Sequence, residues 1–364
     1  MPLITPPPTA PARPRPWSRD PGSPHLVSGR ALHLLTAALL VGLVTAVALA
    51  VRVGSVPLST DVVLDVVRAH LTGGSTPGVE DRIVWELRLP RVLLALVAGA
   101  GLAVAGTVLQ AVVHNPLADP YVLGVASGAG FGAVAALTLT GGVLATVGPS
   151  AAAFGGAVLA LGAVLVLGTQ RGTLVPGRVL LAGVAVGYLL SAGTSYLQLR
   201  ADPTQLAGLL FWLLGSVSGA RWHELALPTA VVVGGTALVW ARARHLDTLL
   251  FGDEAAAALG VDVRRLRAVL LVVACLLTAV VIAVAGGIGF VGLLVPHAVR
   301  MLVGPGHRVV VPLAAVVGGT FLVLVDVAAR TVDAPNELPL GIFTAALGAP
   351  FFLWLLRARR TAGA

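Results

Sequence analysis

The chain has 364 residues, of which 57% are hydrophobic and 11% charged, and its mean hydropathy is +0.94. Soluble domains carry roughly 25% charged residues, so a water-soluble globule is excluded and a polytopic membrane protein is the class that fits. The net charge of +8 comes wholly from arginine, because the sequence contains no lysine; a P-loop needs its lysine to reach the β- and γ-phosphates, so an ordinary ATPase site of that type is excluded too.

Residues 1–30 are rich in Pro, Arg and Ser and read as a disordered cytoplasmic tail. The run Ala31–Val51 is longer than the roughly 7–15 residues of a signal-peptide core, and arginines 13, 15, 19 and 30 precede it. It is therefore read as an uncleaved first span with its N-terminus inside. Further spans are expected near 91–112, 120–140, 145–168, 178–198, 226–242, 268–286, 288–303, 309–330 and 339–356, following the first at 32–52. At about 20 residues per crossing this makes about ten transmembrane helices. The fold class is an all-α integral membrane protein, with a transmembrane domain over 31–357 and a short cytoplasmic tail over 358–364.

Charge supports that orientation. The inner segments carry 16 arginines and the outer ones eight, the bias that the positive-inside rule requires, and an even number of spans also puts the C-terminus inside. Glycines 124, 128 and 132, and again 183 and 187, recur every fourth residue, which lets helix backbones approach closely in lipid. A nucleotide-binding glycine loop would need a βαβ setting that is absent from the pattern. The single Cys275 lies in an apolar run and excludes a disulfide framework. His297 reads as a packed histidine, since no second metal ligand stands at helical spacing. Gly208–Trp222 reads as a short partial helix at the outer interface, where its tryptophans would anchor.

Several segments carry more specific information. RLPR at 88–91 opens the second span, and NPLADPYVLGVASGA at 115–129 turns sharply before the third. FWLLGSVSGARW follows at 211–222, LGVDVRRLR at 259–267, GFVGLLVPHAVRML at 289–302 and ELPLGIFTAALGAPFFLWLL at 337–356. Taken in this order from about residue 80 to 357, they resemble the FecCD family of permease subunits, which serve ATP-binding-cassette importers of iron chelates (siderophores and haem) and of cobalamin.

The resemblance implies a fold like that of the cobalamin importer permease and a set of partners. These are a second copy or a paralogous permease, two cytoplasmic ATPase subunits, an outer substrate-binding protein and the bilayer, with no nucleic acid. It implies a permease of the bacterial cytoplasmic membrane with no enzymatic activity and no cofactor of its own, ATP being bound by the partner. Iron–siderophore complexes are the expected cargo, with haem or cobalamin as alternatives.

It also implies roles for particular residues. Arg88 and Arg91 would receive carboxylates of the binding protein; a guanidinium fork suits such pairing, although arginines at a span's end also serve as plain anchors. Arg330 is a third docking candidate, with an alternative as partner of Asp326 four residues earlier. Asn115 and Leu117 would narrow the inner end of the pathway, facing Pro176 and Gly177, where the family usually carries small hydroxyl residues. Residues 243–267 would include the helix that rests in a cleft of the ATPase, through Asp253, Glu254, Ala257, Leu259, Gly260 and Val261; a solvated connector is the alternative. An ion-coupled carrier would need more ionisable residues inside its spans than Asp326. A membrane-embedded enzyme would need a converging catalytic cluster, and none is visible.

Overall fold

Where proline opens an apolar run or glycine closes one, its backbone chemistry sets the helix boundary. The computed structural model describes residues 29–54, 56–139, 148–170 and 172–361. Most of the expected N-terminal tail (1–28), the boundary of the third and fourth spans (140–147), Arg171 and the last residues of the C-terminal tail (362–364) lie outside the described residues.

The elements are α1 (Gly29–Arg52), α2 (Thr60–Leu71), α3 (Val79–Val112), α4 (Val125–Thr138, entered by a 3-10 turn over Pro120–Leu123) and α5 (Pro149–Gly168). A two-stranded hairpin, β1 (Thr169–Gln170) with β2 (Thr173–Leu174), leads to α6 (Pro176–Arg200) and α7 (Pro203–Leu214). Then come α8 (Trp222–Ala241), α9 (Ala243–Leu249), α10 (Asp253–Ala258), α11 (Val263–Ala285), α12 (Val291–Val303), α13 (His307–Ala329) and α14 (Leu340–Thr361). Prolines 149, 176 and 203 stand at the first helical position, while Gly286 and Gly304 end α11 and α12 with positive φ of 68° and 85°.

Among the described residues, seven helices are long and apolar enough to cross a membrane, and α4, α7, α12 and α14 are shorter apolar helices. Ten of these eleven match the expected spans; α7 overlaps the expected partial helix (208–222) only at 208–214 and starts five residues earlier. Helix α3 is the centre of the bundle, buried along nearly its whole length from Leu89 to Val112 and packed there by α8, α11, α12 and α13. Its glycines make this possible: a Cβ on Gly99 would collide with the Gly318 carbonyl of α13, and one on Gly106 with the Gly292 carbonyl of α12. The predicted glycine seam of the third span is present as well, with Gly128 of α4 against Gly156 of α5 and Gly124 against Gly183 of α6.

Two features depart from the expected layout. An outer helix, α2, occupies residues that carried no expected element; Ser59 caps it and its N–H partner is Val62. The second span begins at Val79, not at residue 91, because residues 82–88 continue the helix as a π turn, in which Leu89 N–H donates to Val84 O.

Candidate functional site

At the outer end, Arg88 and Arg91 do not share one target. Arg88 is 6% exposed. Its guanidinium donates to the Val51 carbonyl at 2.9 Å, to that of Arg52 at 2.6 Å and to that of Val56. Arg330, also buried, donates to the Ala50 carbonyl at 2.8 Å. Two arginines thus cap the last carbonyls of α1, groups that have no partner within their own helix.

Arg91 turns the other way. It donates to Asp326 at 2.9 Å and to Glu337 at 2.8 Å, and Asp326 also pairs with Arg330 at 3.3 Å. Asp326 is fully buried, and two guanidinium groups hold its charge there. The alternative pairing of Arg330 with Asp326 is therefore present. All three arginines are engaged by the chain's own acceptors, and only Glu337, 40% exposed, carries this cluster to the surface. Nearby, Trp85 stacks on His70 and against Trp222, whose indole N–H donates to the Trp85 carbonyl at 2.7 Å.

At the inner end, His114 ends α3 with φ of 54°. Its Nε2 lies 2.8 Å from the Leu249 carbonyl at the end of α9, so Nε2 carries the proton and donates. Asn115 accepts the Leu117 N–H at 2.9 Å, which fixes the turn around Pro116 and leaves Leu117 47% exposed. Asp119 accepts from Tyr121 N–H at 2.8 Å and caps the following turn; burial pushes its carboxyl up to about 6, against that hydrogen bond. The turn over Pro120–Leu123 packs on α6, the helix that begins with Pro176 and the exposed Gly177.

Residues 243–258 form two short helices. Ala243, Leu246 and Leu249 of α9 are fully buried, and Asp247 accepts from both the backbone N–H and the ring Nδ1 of His307, each at 2.8 Å. Helix α10 follows Gly252. Asp253 receives two hydrogen bonds from the buried Arg267, and Ala256 is fully buried. Glu254, Ala257, Leu259 and Gly260 are exposed, Val261 is half-buried, and the apolar side chains of Phe251 and Leu259 face solvent at 71% and 67% exposure.

A fourth feature was not anticipated. A cleft of about 320 Å³ lies between α4, α6 and α7, lined by Tyr121, Ser127, Ser191, Thr194, Ser195, Gln198 and Trp212. Positions 191, 194, 195 and 198 follow the i, i+3, i+4, i+7 spacing of one helical face, a signal that was available in the sequence. Elsewhere on α6, Tyr188 is 76% and Leu199 87% exposed. His297 is packed, as expected, edge-on to Phe351.

The profile of the FecCD transport family matches residues 39–358, nearly all of this architecture. The chain belongs to the FecCD transport family. It is 48% identical over 283 residues to the cobalamin import system permease protein BtuC of Halobacterium salinarum, covering 78% of this chain and 75% of that protein. Identity to the hemin transport system permease protein HmuU of Yersinia pestis is 40%, over 76% and 84% of the two chains. For the Fe(3+)-citrate import system permease protein YfmE of Bacillus subtilis it is 38%, over 76% and 82%. A solved structure described as a metal-chelate type ABC transporter in an inward-facing conformation superposes with a TM-score of 0.77 at 31% identity, covering 90% of this chain and 99% of the other.

This FecCD chain is therefore a multi-pass plasma-membrane permease subunit of an ATP-binding-cassette importer. As in the rest of the family, ATP hydrolysis belongs to a separate subunit and cargo delivery to a binding protein.

Proposed function

We propose that the chain forms half of a translocation path for a metal chelate and that a second permease subunit, identical or paralogous, supplies the other half. The observation that carries this reading is the hydroxyl- and amide-lined cleft on the exposed face of α6. Its lining offers neutral donors and acceptors and no fixed charge, which suits the periphery of a chelate whose metal is already wrapped. A bare cation would call for convergent carboxylates.

Two cytoplasmic ATPase subunits dock below. The exposed Phe251, Glu254, Ala257, Leu259 and Gly260 are the contact surface, while Asp253 and Val261 hold that surface to the bundle. The inner constriction is formed by Asn115 and Leu117 together with Pro176 and Gly177 from the neighbouring helix. Above, the binding protein docks over the cluster of Arg88, Arg91 and Arg330. Arg88 and Arg330 shape the platform through α1, and Arg91 exchanges Glu337 for a carboxylate of the docked lobe. Binding in two global states, not covalent chemistry, is the whole of the chain's contribution.

Iron-chelate import is one reading of the cargo, supported by the hemin and ferric-citrate relatives. Cobalamin import is the second, favoured by the 48% identity to a cobalamin import permease. Uptake of labelled ferric siderophore against labelled cyanocobalamin, by the permease reconstituted with its ATPase and binding protein, separates them. Import of neither would reject the chelate assignment.

A further inference from the structure

A small, partly open cavity of about 20 Å³ lies where five parts of the chain meet. Gln110 of α3, Pro116 of the inner turn, Leu250 after α9, Arg300 of α12 and His307 of α13 line it. Three polar atoms of these residues are sealed from solvent and have no partner among the described residues: Gln110 Oε1, Arg300 Nη2 and His307 Nε2. Gln110 and His307 are only 5% and 1% exposed. Buried polar atoms are paired in nearly all folded proteins, so three orphans around one space point to an occupant.

Their chemistry identifies it. The Gln110 amide nitrogen donates to the Gly292 and Leu293 carbonyls at 3.1 and 3.2 Å, which leaves its oxygen as a free acceptor. His307 Nδ1 faces the Asp247 carboxylate at 2.8 Å; a carboxylate only accepts, so Nδ1 carries the proton and Nε2 of the neutral ring accepts. Arg300 Nη2 can only donate. One donor and two acceptors match the valence of a water molecule, and a water needs about 10–15 Å³ of such space. A second proton on His307 would turn Nε2 into a donor, which water can also satisfy. An anion, by contrast, would face the Gln110 oxygen in either state.

We propose that this cavity is a site for a single internal water molecule, which accepts from Arg300 and donates to Gln110 and His307, and that it ties the coupling arm to the inner end of α3. The tie to the arm runs through Asp247 of α9, which holds His307 by two hydrogen bonds. A second strap is already present in the bond from His114 to the Leu249 carbonyl. The transmission role rests on the proposed coupling function of α9 and α10; the water site does not.

The test is a structure of the permease–ATPase complex in lipid nanodiscs at a resolution that shows ordered water, for the wild type and for Ala111→Val, which adds bulk to the wall of the cavity. One rounded density within about 3.2 Å of all three atoms, lost in Ala111→Val, supports the site. An empty cavity in the wild type, or side chains that close on one another, overturns it. A second pair of variants reads the transmission. His307→Gln keeps a donor for Asp247 and an acceptor for the water; His307→Leu keeps neither. With both variants folded by thermal denaturation, cyanocobalamin or ferric siderophore moved per ATP should fall about tenfold in His307→Leu and stay within about twofold in His307→Gln. Equal losses in both, or none in either, reject the transmission role. The density measurement needs no transport, so a wild-type complex that imports no chelate would overturn the proposed function and leave the water site standing.

Discussion

Arg267 fixes Asp253. The buried guanidinium donates two hydrogen bonds to that carboxylate, at 3.1 and 2.8 Å, and so joins the first residue of α10 to the base of the span α11. A bidentate fork of this kind sets orientation as well as distance, and it joins the proposed coupling surface to the membrane domain.

Arg267→Met should loosen α10 and lower the amount of ATPase recovered with the permease, at a cost of about 1–3 kcal/mol. Arg267→Lys should recover only part of this, because an ammonium cannot make the planar double contact. Quantitative pull-down of the ATPase, with circular dichroism to confirm helicity, checks both. Full recovery of ATPase by Arg267→Met would show that the link is dispensable.

In the proposed docking mode Glu337 would compete for Arg91 with the docked carboxylate, since their ion pair is 2.8 Å long and Glu337 is 40% exposed. Glu337→Gln should therefore tighten binding-protein docking, and Arg91→Gln should weaken it, each by about 3- to 10-fold for a partly exposed pair. Surface plasmon resonance on nanodisc-embedded permease reads the two shifts. Changes of the same sign in both variants would place the docking contact elsewhere.

Arg88 acts on stability, through the end of α1. Arg88→Met removes the cap from three carbonyls and should destabilise the detergent-solubilised protein by about 2–4 kcal/mol. Loss of docking in this variant without any fall in thermal midpoint would instead make Arg88 a direct contact.

Gly106→Ala should be among the most damaging small substitutions, because its Cβ would strike the Gly292 backbone, which cannot move aside as a flexible side chain can. Gly155→Ala meets nothing within 4 Å and should be neutral or stabilising by about 0.5–1 kcal/mol, through helix propensity. Thermal midpoints of the two variants make the comparison directly.

The spans were legible because membrane residence forces long apolar runs, and the Pro and Gly at their ends are local signals. The pairing of Arg330 with Asp326 was legible too, being an i, i+4 relation within one helix. The partners of Arg88 and Arg91 were not. Whether a guanidinium meets a docking protein, the end of α1 or an aspartate 235 positions away depends on how helices assemble, and no local pattern encodes that. The π turn at Arg82–Arg88 escaped for the same reason: its register is settled by packing, not by composition. The hydroxyl face of α6 had a readable period, but it stood within a run whose apolar residues dominate. Gln110, Arg300 and His307 are far apart in the chain and come together only in the folded bundle.

The central claim is that this chain is a conduit driven from outside itself. Its most direct test is uptake of labelled chelate into proteoliposomes holding the permease alone or with its ATPase and binding protein. Accumulation against a gradient only when all three proteins and ATP are present is the predicted result. Concentrative uptake by the permease alone on a proton or sodium gradient would contradict it.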